Sequence, residues 1–172
     1  ANTTGYGNIA FGGLQANTSG YYNVAIGSGS LERNTTGYFN TSIGASSLNY
    51  NNANENTAIG YRSLEKNISG SGNTAVGTYS LGSNVTGASN AAFGYGSLYL
   101  NTLGNNNAAY GYYSLYSNQG SNNVAFGLNS LQYNTDGGSN TAVGNDTLLT
   151  NTTGSNNTAL GRGADVLSSN LS

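Results

Sequence analysis

A five-residue pattern, Asn-x-Ala-(apolar)-Gly, recurs with its Asn at 8, 23, 40, 56, 73, 90, 107, 123, 140 and 157, at spacings of 15 to 17 residues. A period this short leaves few architectures open, because helix-pair repeats and propeller blades need about 33 residues or more. It suits one coil of a β-solenoid. The unit Asn56-Thr-Ala-Ile-Gly-Tyr-Arg-Ser-Leu-Glu-Lys-Asn67-Ile-Ser-Gly70 is typical, and the consensus is N-T-A-Φ-G-Y-x-S-L-x-x-N-T-T-G-x-x, with Φ apolar. One strand is expected over N-T-A-Φ-G and a second roughly over Y-x-S-L-x. Asn-Thr-Thr-Gly supplies the turn, since Asn and Thr side chains bond nearby backbone and Gly accepts φ > 0. Chance would give about five Asn-Gly pairs, the strongest hairpin signal, among 30 Asn and 27 Gly,. None occurs, so the coils read as parallel. The expectation is an all-β, parallel β-solenoid (β-roll) of about ten 17-residue coils over residues 1–161. At about 4.8 Å per coil it would be roughly 48 Å long. Over 162–172, Ala-Asp-Val stands where Ser-Leu belongs, a register break leading toward a further segment.

Stacking turns each repeat position into a column. The Φ column (Phe11, Ile26, Ile43, Ile59, Val76, Phe93, Tyr110, Phe126, Val143, Leu160) and a Leu column from Leu31 to Leu148 are the expected core. The Asn column is expected to form an amide ladder along the axis, each side chain satisfying the next. Strand alternation then points the Ala column away from the core. A solvent-facing column would drift in residue type, so Ala25, Ala58, Ala75, Ala92, Ala109, Ala125 and Ala142 are the expected contacts with another chain.

Composition removes most chemistry. The chain has no Cys, no His, four basic and six acidic residues, and a net charge of −2. Thiolate and imidazole nucleophiles, bases and zinc ligands are therefore absent. The few cations cannot neutralise a nucleic-acid backbone, and no apolar run approaches the roughly 18 residues of a membrane span. Fourteen Tyr and four Phe argue against disorder,. Glu32 and Glu65 share a column two coils apart, about 9.6 Å by strand spacing, but cations follow both (Arg33, Lys66) and they read as surface charge. No catalytic, metal-ligating or cofactor-binding residue is assigned, and no cofactor or enzyme activity is expected. Ten Asn-x-Ser/Thr sequons are close to what composition alone produces, so they say little about glycosylation.

Units such as Asn23-Val-Ala-Ile-Gly27 and Asn140-Thr-Ala-Val-Gly144 resemble the head repeats of trimeric autotransporter adhesins, and related repeats of phage tail fibres and surface proteins. The resemblance covers residues 8–161, with a longer period than is typical of those heads. It implies a left-handed roll, a homotrimer, placement outside the cell, at its surface or in a virion fibre, and adhesion without catalysis. The partners it implies are further copies of the chain and a host-surface glycan or protein receptor, with no nucleic acid and no membrane insertion.

Two surfaces stand out as binding candidates. Tyr95, Tyr99, Tyr112, Tyr113 and Tyr116 fall in adjacent coils, Tyr95 with Tyr112 and Tyr99 with Tyr116 in shared columns, and aromatics with a polar edge suit a glycan or receptor patch,. Thr41, Thr57, Thr74, Thr141 and Thr158 occupy the column after the ladder Asn, and flat Thr arrays order water in some ice-binding solenoids. The repeat is also similar to the short Asn-x-Val-x-Gly coils of a plant ice-binding family. The leading expectation is a non-enzymatic adhesive or receptor-binding fibre acting as a rigid multivalent rod. The alternatives are an ice-binding solenoid and a self-polymerising structural filament.

Overall fold

The computed structural model describes residues 4–165; residues 1–3 and 166–172, and with them most of the register break expected over 162–172, lie outside the described residues. Ten three-residue strands form one parallel sheet in chain order: β1 (Ile9–Phe11), β2 (Val24–Ile26), β3 (Thr41–Ile43), β4 (Thr57–Ile59), β5 (Thr74–Val76), β6 (Ala91–Phe93), β7 (Ala108–Tyr110), β8 (Val124–Phe126), β9 (Thr141–Val143) and β10 (Thr158–Leu160). The chain is an all-β parallel solenoid, and no described residue is helical. Each strand pairs column on column, as in Thr57 with Thr74 and Ile59 with Val76. Register survives unequal coil lengths: the 15-residue first coil is two residues short between Asn8 and Asn17, and the two 16-residue coils each lose one residue from a turn. The turns from Asn51 to Asn56 and from Asn118 to Asn123 are one residue short, and the strands on either side still align.

The Asn column is a continuous buried ladder. Asn73 Nδ2 donates to Gly87 O at 2.8 Å, while its Oδ1 accepts from the backbone N–H of Asn90 at 2.9 Å and from Asn90 Nδ2 at 3.1 Å. The turn Asn makes a second ladder: Asn84 Nδ2 donates to Asn67 Oδ1 at 2.7 Å and to Gly87 O at 2.9 Å. Both ladders therefore converge on the same turn carbonyl. Every one of these amides would be costly if buried without partners, by about 1–3 kcal/mol each.

This bonding sets the phase of the strand and reverses the expected core. Asn must face inward to reach its partners, and period-two alternation then turns Ala inward too. Ala25, Ala58, Ala75, Ala92, Ala109, Ala125 and Ala142 are completely buried within a single chain, against the Leu column. They are core residues and not interchain contacts. The Φ column, expected in the core, instead faces outward: Ile59 is 38% and Phe126 42% exposed. Within one coil Asn56, Ala58, Ser63, Leu64 and Asn67 fill the interior. With two amides and a Leu in so narrow a section, the opposing strand has room only for a methyl group. The single exception, Ser42, is satisfied by Ser30 Oγ, which donates to it at 2.8 Å, and by Ser47 Oγ at 2.5 Å.

The expected second strand is replaced by a tight corner. Leu48, Leu64 and Leu81 have φ of 46°, 49° and 50°, and the residue two places earlier (Ser46, Arg62, Tyr79) is also left-handed. Its backbone still bonds the next coil, as Leu64 N–H donates to Ser80 O at 3.0 Å. A left-handed residue with a Cβ costs about 1–2 kcal/mol. Complete burial of a Leu side chain contributes about 1.5–3 kcal/mol, so the corner holds because Leu sits at it. The strand-end Gly is required on two grounds: Gly60 has φ 132°, and a Cβ there would lie 2.7 Å from the Gly77 carbonyl carbon. The turn Gly serves differently from the expectation. Gly70 has no positive φ; it is small because a Cβ would crowd the Gly87 carbonyl oxygen at 2.1 Å.

Candidate functional site

Because the interior is filled by ladders, function must come from the outward columns, and these fall into three groups. The first is the sheet face. Its outward positions pair the Thr column with the Φ column, so Thr41, Thr57, Thr74, Thr141 and Thr158 stand beside Ile43, Ile59, Val76, Val143 and Leu160. Phe93, Tyr110 and Phe126 stack along it with centroids 4.7 and 4.4 Å apart. No outward strand position carries a charge. Sequence reasoning found the Thr residues but misplaced their neighbours, since it had put the Φ column inside.

The second group is the tyrosine patch, which the solenoid assembles from three columns. Tyr95 stacks on Tyr112 at 5.3 Å and Tyr99 on Tyr116 at 5.5 Å. Tyr113 joins the two stacks, 5.6 Å from Tyr95, 4.2 Å from Tyr112 and 4.8 Å from Tyr116. All five sequence candidates are thus in one cluster. Tyr79, which the sequence reading missed, extends it, standing edge-on to Tyr95 at 6.0 Å and to Tyr99 at 5.7 Å. The signal was available: Tyr79, Gly96 and Tyr113 follow one another at 17 residues in one column. Where that column has Gly96 in place of a ring, a recess of about 210 Å3 opens, lined by Tyr79, Tyr95, Tyr99, Tyr113 and Tyr116.

Two phenols of this patch, Tyr113 and Tyr116, favour the neutral form. Hydrogen bonding with Tyr112, then desolvation, then the surrounding phenols push Tyr113 up to about 12. Desolvation, followed by Tyr99 and Tyr95, raises Tyr116. At one end of the patch Arg62 lies over the Tyr61 ring at 5.2 Å and 3.6 Å from Glu65. Glu32 accepts from Asn49 Nδ2 at 2.9 Å, and Arg33 covers Tyr50 at 4.4 Å. The two column-sharing carboxylates are therefore engaged separately, with Asn49 between them in the column.

A third group went unnoticed in the sequence. Tyr6, Tyr21 and Tyr38 stack at 5.2 and 4.8 Å, and Tyr22 stacks on Phe39 at 5.6 Å. Desolvation and then the phenols of Tyr38 and Tyr6 raise Tyr21. Its signal was the pair Tyr21-Tyr22 repeated 17 residues later as Tyr38-Phe39. No family model matches the chain, and no curated protein or solved structure does.

Proposed function

We propose that this solenoid is a rigid segment of a non-enzymatic, extracellular adhesive or receptor-binding fibre, in which three copies pack through their sheet faces. The uncharged, partly exposed sheet face is the observation that carries this reading. Ten strands at about 4.8 Å give a straight strip roughly 48 Å long. Along this strip runs the exposed Φ row, largely apolar from Ile26 to Leu160, and an apolar row of this kind marks an interaction site on an otherwise polar protein,. Another copy is the natural partner, because its rows of side chains repeat at the same axial spacing. Closing three faces around one axis would cover them and leave the tyrosine patches outside, three per segment. Weak contacts with a glycan or protein receptor would then gain avidity from repetition along a rigid rod.

Solution mass tests this. Light scattering after size exclusion should give about three times the 17.5 kDa chain, and Ile43→Lys/Ile59→Lys, at exposed positions, should release monomers with unchanged far-UV dichroism. A wild-type monomer refutes the assembly, and large polydisperse rods point instead to an end-to-end structural filament. The same face supports a second reading, since its Thr hydroxyls lie in two runs on one sheet, Thr41, Thr57 and Thr74 in consecutive coils and Thr141 with Thr158 in two more. An ice-binding solenoid would reshape growing ice crystals, lose that effect in Thr57→Leu/Thr74→Leu, and remain monomeric.

A further inference from the structure

We propose that the recess floored by Gly96 is a binding site for one neutral pyranose ring of a glycan. This rests on the adhesive reading above and names the ligand class of its tyrosine patch. Gly96 is a missing rung: its column carries side chains in the coils on either side, Tyr79 and Tyr113, and nothing here. The recess left behind, about 210 Å3, is smaller than the roughly 300–1,000 Å3 of sites for drug-sized ligands, and it suits a single ring. Tyr113 leans over Gly96, because a Cβ there would lie 2.6 Å from its ring, so a side chain at this position would have to displace Tyr113. The position itself tolerates side chains at left-handed φ, as Asn129 does at 54°.

Wall chemistry selects the ligand. Only Tyr and Gly line the recess, so no charged side chain meets what enters. Phenol faces pack against aliphatic C–H surfaces, and phenol hydroxyls exchange hydrogen bonds at the rim. A pyranose has both an apolar C–H face and a polar hydroxyl edge. Aromatic walls also attract organic cations. Nearby, Arg62 rests on Tyr61 and is paired with Glu65 at 3.6 Å, so this corner adds no net charge, and tetramethylammonium is the probe that separates a cation site from a sugar site.

The test is saturation-transfer NMR on the assembled protein with methyl β-D-glucopyranoside, methyl β-D-galactopyranoside and tetramethylammonium as probes. At least one glycoside should receive saturation at its ring C–H protons, with millimolar affinity. Gly96→Asn and Tyr99→Ala should each weaken it tenfold or more, whereas Tyr21→Ala, in the separate aromatic group, should bind like wild type. Thermal unfolding of each variant checks that the solenoid persists. Absence of glycoside transfer to wild type, undiminished binding in Gly96→Asn, or tighter binding of tetramethylammonium overturns the proposal. Each failure is separable from that of the fibre: an intact trimer without glycoside binding removes only the sugar site, while a monomer that binds glycoside removes only the assembly.

Discussion

Asn73→Ala probes the amide ladder where it is continuous on both sides. The substitution deletes the bond from Nδ2 to Gly87 O and both bonds that Oδ1 accepts from Asn90. Two of the partners remain satisfied: Gly87 O still accepts from Asn84, and Asn90 Nδ2 still donates to Gly104 O at 2.9 Å. The backbone N–H of Asn90 has no such substitute. Orphaning it costs about 1–3 kcal/mol, and the void left by the amide adds about 1 kcal/mol. The expected loss is about 2–4 kcal/mol, a large share of a typical total of about 5–15 kcal/mol. Asn157 in the tenth coil is the control, because its amide donates to Asn140 Oδ1 at 3.0 Å and, among the described residues, none donates to its Oδ1. Asn157→Ala should cost about 1 kcal/mol. Urea unfolding followed by far-UV dichroism, with equal slopes for the variants, measures both. Equal losses at the two positions, or a loss below about 1 kcal/mol at Asn73, would refute the claim that the ladder's value lies in the next coil's backbone.

Three further outcomes follow from the same geometry. Leu81 is fully buried at φ 50°, so Leu81→Gly should be no less stable than Leu81→Ala, reversing the usual order, because glycine relieves the left-handed strain; thermal midpoints decide,. Gly60→Ala adds a Cβ 2.7 Å from the Gly77 backbone at φ 132° and should lower the melting temperature far more than Ala45→Ser, a change at an outward position; equal shifts would contradict the packing. Tyr113 holds its proton to about 12 against an ordinary 10, so its stabilising effect is complete below pH 10 and is lost as pH rises from 10 through about 12,. Phenolate absorbance should show a late-titrating tyrosine that moves earlier in Tyr112→Phe, and an unchanged titration would remove Tyr112 as the main cause.

Much of this fold is legible before any coordinates. The recurrence of Asn at 15 to 17 residues determines the solenoid, the parallel register and the fact that like residues stack on like. A column of buried amides follows from the same recurrence, since only mutual hydrogen bonding makes so many internal Asn tolerable. Clustering of Tyr95, Tyr99, Tyr112, Tyr113 and Tyr116 is likewise arithmetic on the period, and Tyr79 would have been found by carrying that arithmetic one coil further.

What the period leaves open is phase. A strand pattern reads equally well with either alternate set inside, and a shift of one residue exchanges the faces. Hydrophobicity argued for Ile59 inside and Ala58 outside; the turn carbonyl that Asn56 must reach, at Gly70, decides the opposite. The same three-dimensional constraint places Leu at a left-handed corner, a conformation that its intrinsic preferences oppose and burial against Ala compensates. The recess at Gly96 belongs to this class as well. A glycine in a column of side chains is visible in the sequence, but only the placement of the neighbouring rings, with Tyr113 leaning over Gly96, shapes the recess beside it. Sequence therefore determined the ladder and its period, while tertiary hydrogen bonding decided which face is core and which is surface, because buried amides tolerate one phase and isolated strands tolerate both.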